Sequence, residues 1–417
     1  MTTPAFADPH TADPATVDLD RVDLSDPGWF HDGPPLALFA RMREQSPLIW
    51  NNSAHTDDFW SVVGGVEITE ASKNIKRFST YKGGIWLTKD TVGPLEMMQN
   101  VVLFKDPPDH IKYRNIFQAG FTPNRVARME DDIRRWVIDL LDEACARGEM
   151  DVVPDLAIKI PLMAIASLFG SPFSDLDKLC DWTDRIADGV AEYTPYGDAF
   201  TSLIEMTQYF SGLLPGLSGD SETLIGALYA AEVDGVKLTD EEIMMFLGIL
   251  LFGGNDTTRN AISNGLRLFA EHPDQFATLA TDPGLIPNAI EEILRMTTPL
   301  NYMARTATED TELGGVAVSE GQRLALWYPS GSRDERIFPD PERFDVTRRP
   351  VNHHAFGGGG RHFCLGAPLA RLELRVVLEE VVRRIDAPTL SGPVERHSSI
   401  WVNGLASVPI TFTPKAA

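Results

Sequence analysis

A chain of 417 residues, 43% of them apolar, can bury a sizeable core, and its composition matches neither a disordered nor a collagen-like polymer. It carries 60 acidic against 37 basic side chains, a formal charge of −23, which repels phosphate backbones and anionic lipid and argues against nucleic-acid binding. The first basic residue is Arg21, and the longest apolar run, Ile243 to Phe252, is too short to span a bilayer. Neither a secretory signal nor a membrane anchor is therefore expected, and a cytoplasmic location is.

Residues 1–26 are rich in Thr, Pro, Ala and Asp and lack hydrophobic periodicity, which predicts a mobile N-terminal arm ahead of a single domain, 27–417. Helical periodicity punctuated by Pro and Gly dominates that domain. Residues 131–146, for example, place Ile133, Val137, Leu140 and Leu141 on one face. Strand-like runs at 59–63, 322–327 and 408–413 predict small sheets, giving a mainly α fold with small β-sheets. Of the three cysteines, Cys145 and Cys180 fall in helical stretches as small buried residues. With no Cys-x-x-Cys pair, no disulfide framework is predicted.

Thr239 followed by Glu242 predicts a capping box that opens a long buried helix, stopped at His272-Pro273. Its middle reads Gly253-Gly254-Asn255-Asp256-Thr257-Thr258. Two glycines inside a helix cost about 1 kcal/mol each relative to alanine. They serve either close helix packing or space for a flat cofactor and a small ligand.

Further on, Phe356-Gly357-Gly358-Gly359-Gly360-Arg361-His362-Phe363-Cys364-Leu365-Gly366 runs into a helical pattern with Leu369, Leu372 and Val376. A glycine-rich loop thus brings Cys364 to a helix N-terminus, where N–H groups and the helix dipole favour a metal-binding thiolate. The competing phosphate-loop reading lacks its Gly-Lys-Ser/Thr ending.

This segment resembles the cysteine loop of the cytochrome P450 superfamily: Gly360, His362, Cys364 and Gly366 match at their offsets, and Phe356 lies one residue further from the cysteine. The resemblance extends from about Phe30 to the C-terminus. It implies a triangular helical body around a buried haem b, with Cys364 as axial ligand of the iron and Phe356 and Gly366 in the cofactor loop. By the same resemblance Glu292-x-x-Arg295 and Arg343 form a buried charge cluster supporting that loop, and His110, Arg114, Arg305 and His362 hold the haem propionates. Met303 stands where some relatives have a polar propionate partner. Asp256 and Thr257 resemble the family's acid-alcohol pair, with Thr257 hydrogen-bonding dioxygen as it is reduced and Asp256 relaying protons.

The resemblance also implies a pocket lined by Trp86 and Met98 from the loop 84–102, by Ile249, Phe252 and Gly253, by Leu300 and Asn301, and by Trp401 and Val402. These residues, with Leu87 and Met97, suggest a hydrophobic substrate. The branch resembled hydroxylates steroid side chains, branched lipids and terpenoids. With no dinucleotide fingerprint and no flavin domain, electrons are expected from a ferredoxin and its NAD(P)H-dependent reductase, docking near Lys112, Arg114, Arg361 and Arg371. A peroxide-driven haem enzyme and a non-catalytic haem sensor or carrier are the competing classes.

Overall fold

Thr239 opens the longest element: its hydroxyl accepts from the Glu242 N–H (3.2 Å) while the Glu242 carboxylate accepts from the Thr239 N–H (2.8 Å). The central helix then runs over Asp240–Glu271, 32 residues, or about 48 Å at 1.5 Å per residue. Pro273 begins the next helix and prevents continuation. The computed structural model describes residues 6–88, 92–118, 121–192, 197–217 and 223–415.

Around this axis pack the helices Lys159–Phe169, Leu176–Glu192, Asp198–Leu217, Ile286–Thr297 and Ala367–Arg384. From Ala261 to Leu266 every residue of the central helix is buried, as expected for a helix enclosed on all sides. Its polar residues therefore need internal partners, and Asn260 accepts from the Leu405 N–H at 3.1 Å. The stretch predicted as helical at 131–146 is the helix Glu130–Arg147, ended by Gly148 in the left-handed conformation.

Two of the three strand predictions build one five-stranded sheet in the order Leu48–Asn51, Phe59–Val62, Arg323–Trp327, Tyr302–Ala307, Phe78–Ser79. Its pairs are antiparallel except Phe59–Val62 with Arg323–Trp327. The third, Pro409–Pro414, lies between Ile385–Leu390 and Glu149–Asp151 in a second sheet. The fold is mainly α with small sheets. No helix among the described residues is long and apolar enough to cross a membrane.

The expectation of a mobile arm is corrected over residues 6–26; residues 1–5 lie outside the described residues. Leu19, Val22 and Leu24 are buried, the Leu24 N–H donates to Asn51 Oδ1 (3.1 Å), and Asp23 accepts from the Ala54 N–H (2.8 Å). A short 3₁₀ turn, Leu19–Arg21, capped by Asp18, and the irregular chain after it place those apolar residues at spacings that match neither helix nor strand period. Cys145 and Cys180 are half-buried free thiols, and burial, then the neighbouring Asp184, pushes Cys180 up to about 12.

Candidate active site

The cysteine loop is held from both sides. The Cys364 N–H donates to the Phe356 carbonyl (3.0 Å), and the Arg371 guanidinium lies 4.4 Å over the Phe356 ring. Phe356 therefore sits under the loop despite the extra residue, which glycines at positive φ absorb. Gly360 (φ 78°) also presses against the backbone of Ser72, where a side chain would collide. Gly366 precedes the helix Ala367–Arg384. Cys364 is open to a cavity and enclosed by protein elsewhere. Burial pushes its thiol up, against the N–H groups of Gly366 and Ala367 and the charges of Arg114 and Arg371, which pull it down. The helix terminus thus does not deliver the thiolate unaided, and a bound metal cation would complete the deprotonation.

Along one edge of the cavity stand His110, Arg114, Arg305 and His362. The rings of His110 and His362 lie 4.1 Å apart. Burial, then the Arg114 charge, lowers His110 to about 4, and His362 is held well below the usual histidine range by burial, Arg305 and His110. His110 Nδ1, His362 Nδ1 and Arg305 Nε are buried without hydrogen-bond partners. Orphaned buried nitrogens beside the guanidinium groups of Arg114 and Arg305 call for anionic acceptors. The residues of this edge fit the two carboxylates of a haem, and Cys364 could supply its iron with a sulfur ligand. Met303 lines the cavity nearby, as an apolar wall.

Another wall of the cavity is the central helix, through Ile249, Leu250, Phe252 to Gly254, Thr257, Thr258 and Ala261. Its two glycines divide the readings left open by the sequence. A Cβ on Gly253 would meet nothing within 4 Å, whereas one on Gly254 would stand 2.8 Å from Ile165 Cδ1 of Lys159–Phe169. Gly253 leaves room; Gly254 serves helix packing. Thr257 faces the cavity, its hydroxyl donating to the Gly253 carbonyl (2.5 Å). Asp256, the next residue round the helix, is turned away from the cavity and fully buried, 2.7 Å from Arg259. Burial raises it to about 7, with Arg259 opposing.

Of the expected lining residues, Ile249, Phe252, Gly253, Leu300 and Trp401 face the cavity, with Trp401 stacked on Phe252 at 4.9 Å. Trp86, Met98, Asn301 and Val402 do not, and neither do Leu87 and Met97. Trp86 packs behind Trp401, ring centroids 5.2 Å apart. Asn301 donates from Nδ2 to the Ser399 carbonyl (3.0 Å), fixing the turn that presents its neighbour Leu300. Val402 pairs with Leu300 in a β-bridge. Where the chain is extended, adjacent side chains face opposite ways, so of each expected pair, Leu300-Asn301 and Trp401-Val402, one residue lines the cavity and its neighbour turns away. Among the described residues of the loop 84–102 it is Ile85 and Val102 that reach the cavity.

Sequence reasoning missed Glu373. It is buried on the helix Ala367–Arg384, lines the cavity, has Oε2 unpartnered, and is raised by burial to about 8. The available signal was a carboxylate four residues after Leu369, inside the apolar stripe.

The charge cluster is corrected in its third member. Glu292 and Arg295 are fully buried and paired at 2.7 Å, but Arg348, not Arg343, completes the group at 3.1 Å from Glu292. The Arg343 side chain is 63% exposed, and only its carbonyl accepts from Arg295 and Arg348. In the proposed docking patch, Lys112 is paired with Asp234 (2.5 Å), Arg371 with Glu291 (2.6 Å), and Arg114 donates to the Phe363 carbonyl (2.6 Å).

The cytochrome P450 family model matches residues 217–282 and 284–408. The chain is 33% identical to a steroid C26-monooxygenase of Mycobacterium tuberculosis (strain ATCC 25618 / H37Rv), over 94% of this chain and 92% of that protein. It is also 33% identical to a linalool 8-monooxygenase of Pseudomonas putida, over 95% of this chain and all of that protein. Among solved structures, a Mycobacterium marinum cytochrome P450 in complex with pseudoionone superposes with a TM-score of 0.87 at 31% identity, over 95% of this chain and 100% of that one. With the cysteine loop, the cation edge and these relatives in agreement, the chain belongs to the cytochrome P450 family and is a haem-containing monooxygenase.

Proposed function

We propose that the chain inserts one oxygen atom from dioxygen into a steroid side chain, branched lipid or terpenoid, with Cys364 ligating the iron of haem b and a ferredoxin supplying electrons. The observation that carries this reading is that Cys364 and Thr257 line one apolar cavity together with His110, Arg114, Arg305 and His362. Bound with a thiolate ligand, haem supplies an iron centre at which O–O cleavage is favoured.

The chain's own residues supply the rest. Arg114 and Arg305 hold the cofactor carboxylates, with guanidinium geometry suited to them, and the two histidines donate their orphaned N–H groups. Thr257 gives the proton of its Oγ1 into the cavity, and Asp256 replenishes it through water. A carboxyl near 7 is suited to exchange at neutral pH. Phe252, Ile249, Leu300 and Trp401 exclude bulk water and select an apolar substrate.

The names of the relatives, steroid C26-monooxygenase and linalool 8-monooxygenase, support the substrate class. A peroxide-driven enzyme would leave Asp256 and Thr257 without a use, and a sensor or carrier is disfavoured by the same pair.

The test is a titration of the ferric protein's absorption spectrum with steroids, branched fatty acids, monoterpenes and small aromatics. A low- to high-spin change is expected with the first three classes. A response confined to small aromatics would overturn the substrate assignment.

A further inference from the structure

Three charges stand in line beside the active site. Arg259, one turn beyond Asp256 on the central helix, places Nη2 2.7 Å from the Asp256 carboxylate and Nη1 2.7 Å from Asp184 on the helix Leu176–Glu192. Asp256 is fully buried, whereas the Asp184 side chain is 42% exposed. Arg259 Nε and both Asp256 oxygens are buried without hydrogen-bond partners, so the guanidinium hydrogen-bonds Asp184 and meets Asp256 only as a close charge, gripping neither in a two-pronged pair. A second bond, Asn255 Nδ2 to Thr183 Oγ1 (2.8 Å), ties the same two helices one residue away from each acid.

The other groups that face Asp256 add no positive charge. Asp188 and the Cys180 thiol come from Leu176–Glu192, and Ile165 from Lys159–Phe169 packs on Gly254. Arg185 is engaged by Asp181 and Glu205. Arg259 is thus the cation of the group, and it is divided.

We propose that Asp184 is a positioning residue for proton delivery: by sharing the Arg259 guanidinium it leaves the Asp256 carboxyl free to take up and release the proton that Thr257 passes into the cavity. The proposal deepens the acid reading of Asp256 and rests on it. The physical reason is charge competition. A carboxylate held by an arginine of its own loses proton affinity by about 1–3 pH units, and such an aspartate would stay ionised through turnover at neutral pH. Burial opposes that, and the negative charges of Asp184 and Asp188 act in the same direction. Arg259 keeps its proton throughout, so it transmits charge and not protons.

The experiment uses the haem-loaded enzyme. The buried carboxyl's infrared C=O band is titrated with pH and assigned by its loss in Asp256→Asn. Product formed per reductant consumed is followed over the same range. Asp184→Asn keeps the shape and the hydrogen bond from Arg259 and removes the charge, at the cost of the long contact from the Cys180 thiol. It is expected to move the band's midpoint, and the alkaline limb of the product ratio, down by about one pH unit. Arg259→Gln is expected to move both upward, and the ligand-induced spin change stays at wild-type affinity in Asp184→Asn. Opposite shifts from two substitutions on one network are not what loosening the helix pair would give.

Midpoints that stay in place, or that move the same way in both variants, overturn the proposal. Should Arg259→Gln fail to load haem, the half-exposed Asp184→Asn decides alone. An Asp256→Asn variant with an unchanged product ratio would remove the acid reading itself, and this inference with it.

Discussion

Arg348 lies 3.1 Å from the fully buried Glu292 and donates to the carbonyls of Pro339, Asp340 and Arg343, so one side chain ties the Glu292–Arg295 helix to the irregular segment beyond it. Removing it leaves Glu292 with a single cation. Arg348→Ala is expected to cost about 3–5 kcal/mol, read as a loss of thermal stability and of haem retention. Arg343→Ala, at an exposed side chain, is expected to stay within about 0.5 kcal/mol. Equal losses from the two would contradict the assignment.

The two glycines of the central helix predict separable phenotypes. Gly254→Ala drives a methyl into Ile165 and is expected to destabilise by about 1–3 kcal/mol. Gly253→Ala points into open space, so stability is kept or raised by up to about 1 kcal/mol, while the narrowed cavity weakens the ligand-induced spin change. Denaturation curves and spectral titrations of the pair check this.

Glu373 makes stability pH-dependent in a stated direction. Below about 4.5 the folded and unfolded chains both carry its proton. Between about 4.5 and about 8 the folded chain keeps a proton that the unfolded chain has released, so stability falls as pH rises; above about 8 the loss is constant. Glu373→Gln is therefore expected to match the wild type near pH 4.5 and to exceed it by roughly 3–5 kcal/mol at pH 8–9. A pH-independent difference would show that burial does not hold the carboxyl neutral.

Thr257→Ala should keep reductant consumption going while its electrons go to hydrogen peroxide, with product per reductant falling about tenfold or more. Parallel assays of reductant, peroxide and product measure the split. An unchanged ratio would take the proton-donating role away from Thr257.

Local signals carried much of this fold in the sequence. The Thr239–Glu242 cap, the Gly-rich approach to Cys364 and the i, i+3 pair Glu292–Arg295 are each read from neighbours within a turn or a loop. What stayed hidden depends on irregular chain. Arg343 and Arg348 are five residues apart in a segment without a period, and only the folded backbone decides which points at Glu292. The same holds for Trp86 against Ile85, and for the buried Leu19, Val22 and Leu24 in a segment of turns. Asp256 was found as a residue, but its partner across the helix pair, Asp184, lies 72 positions away and leaves no mark in the local pattern.

The central claim is that Cys364 ligates the iron of a bound haem. Iron-edge X-ray absorption on the purified protein and on Cys364→Ser tests it most directly. One sulfur ligand in the wild type, absent from the variant, is the predicted result. An iron without a sulfur neighbour, or a sulfur that survives the substitution, would contradict it.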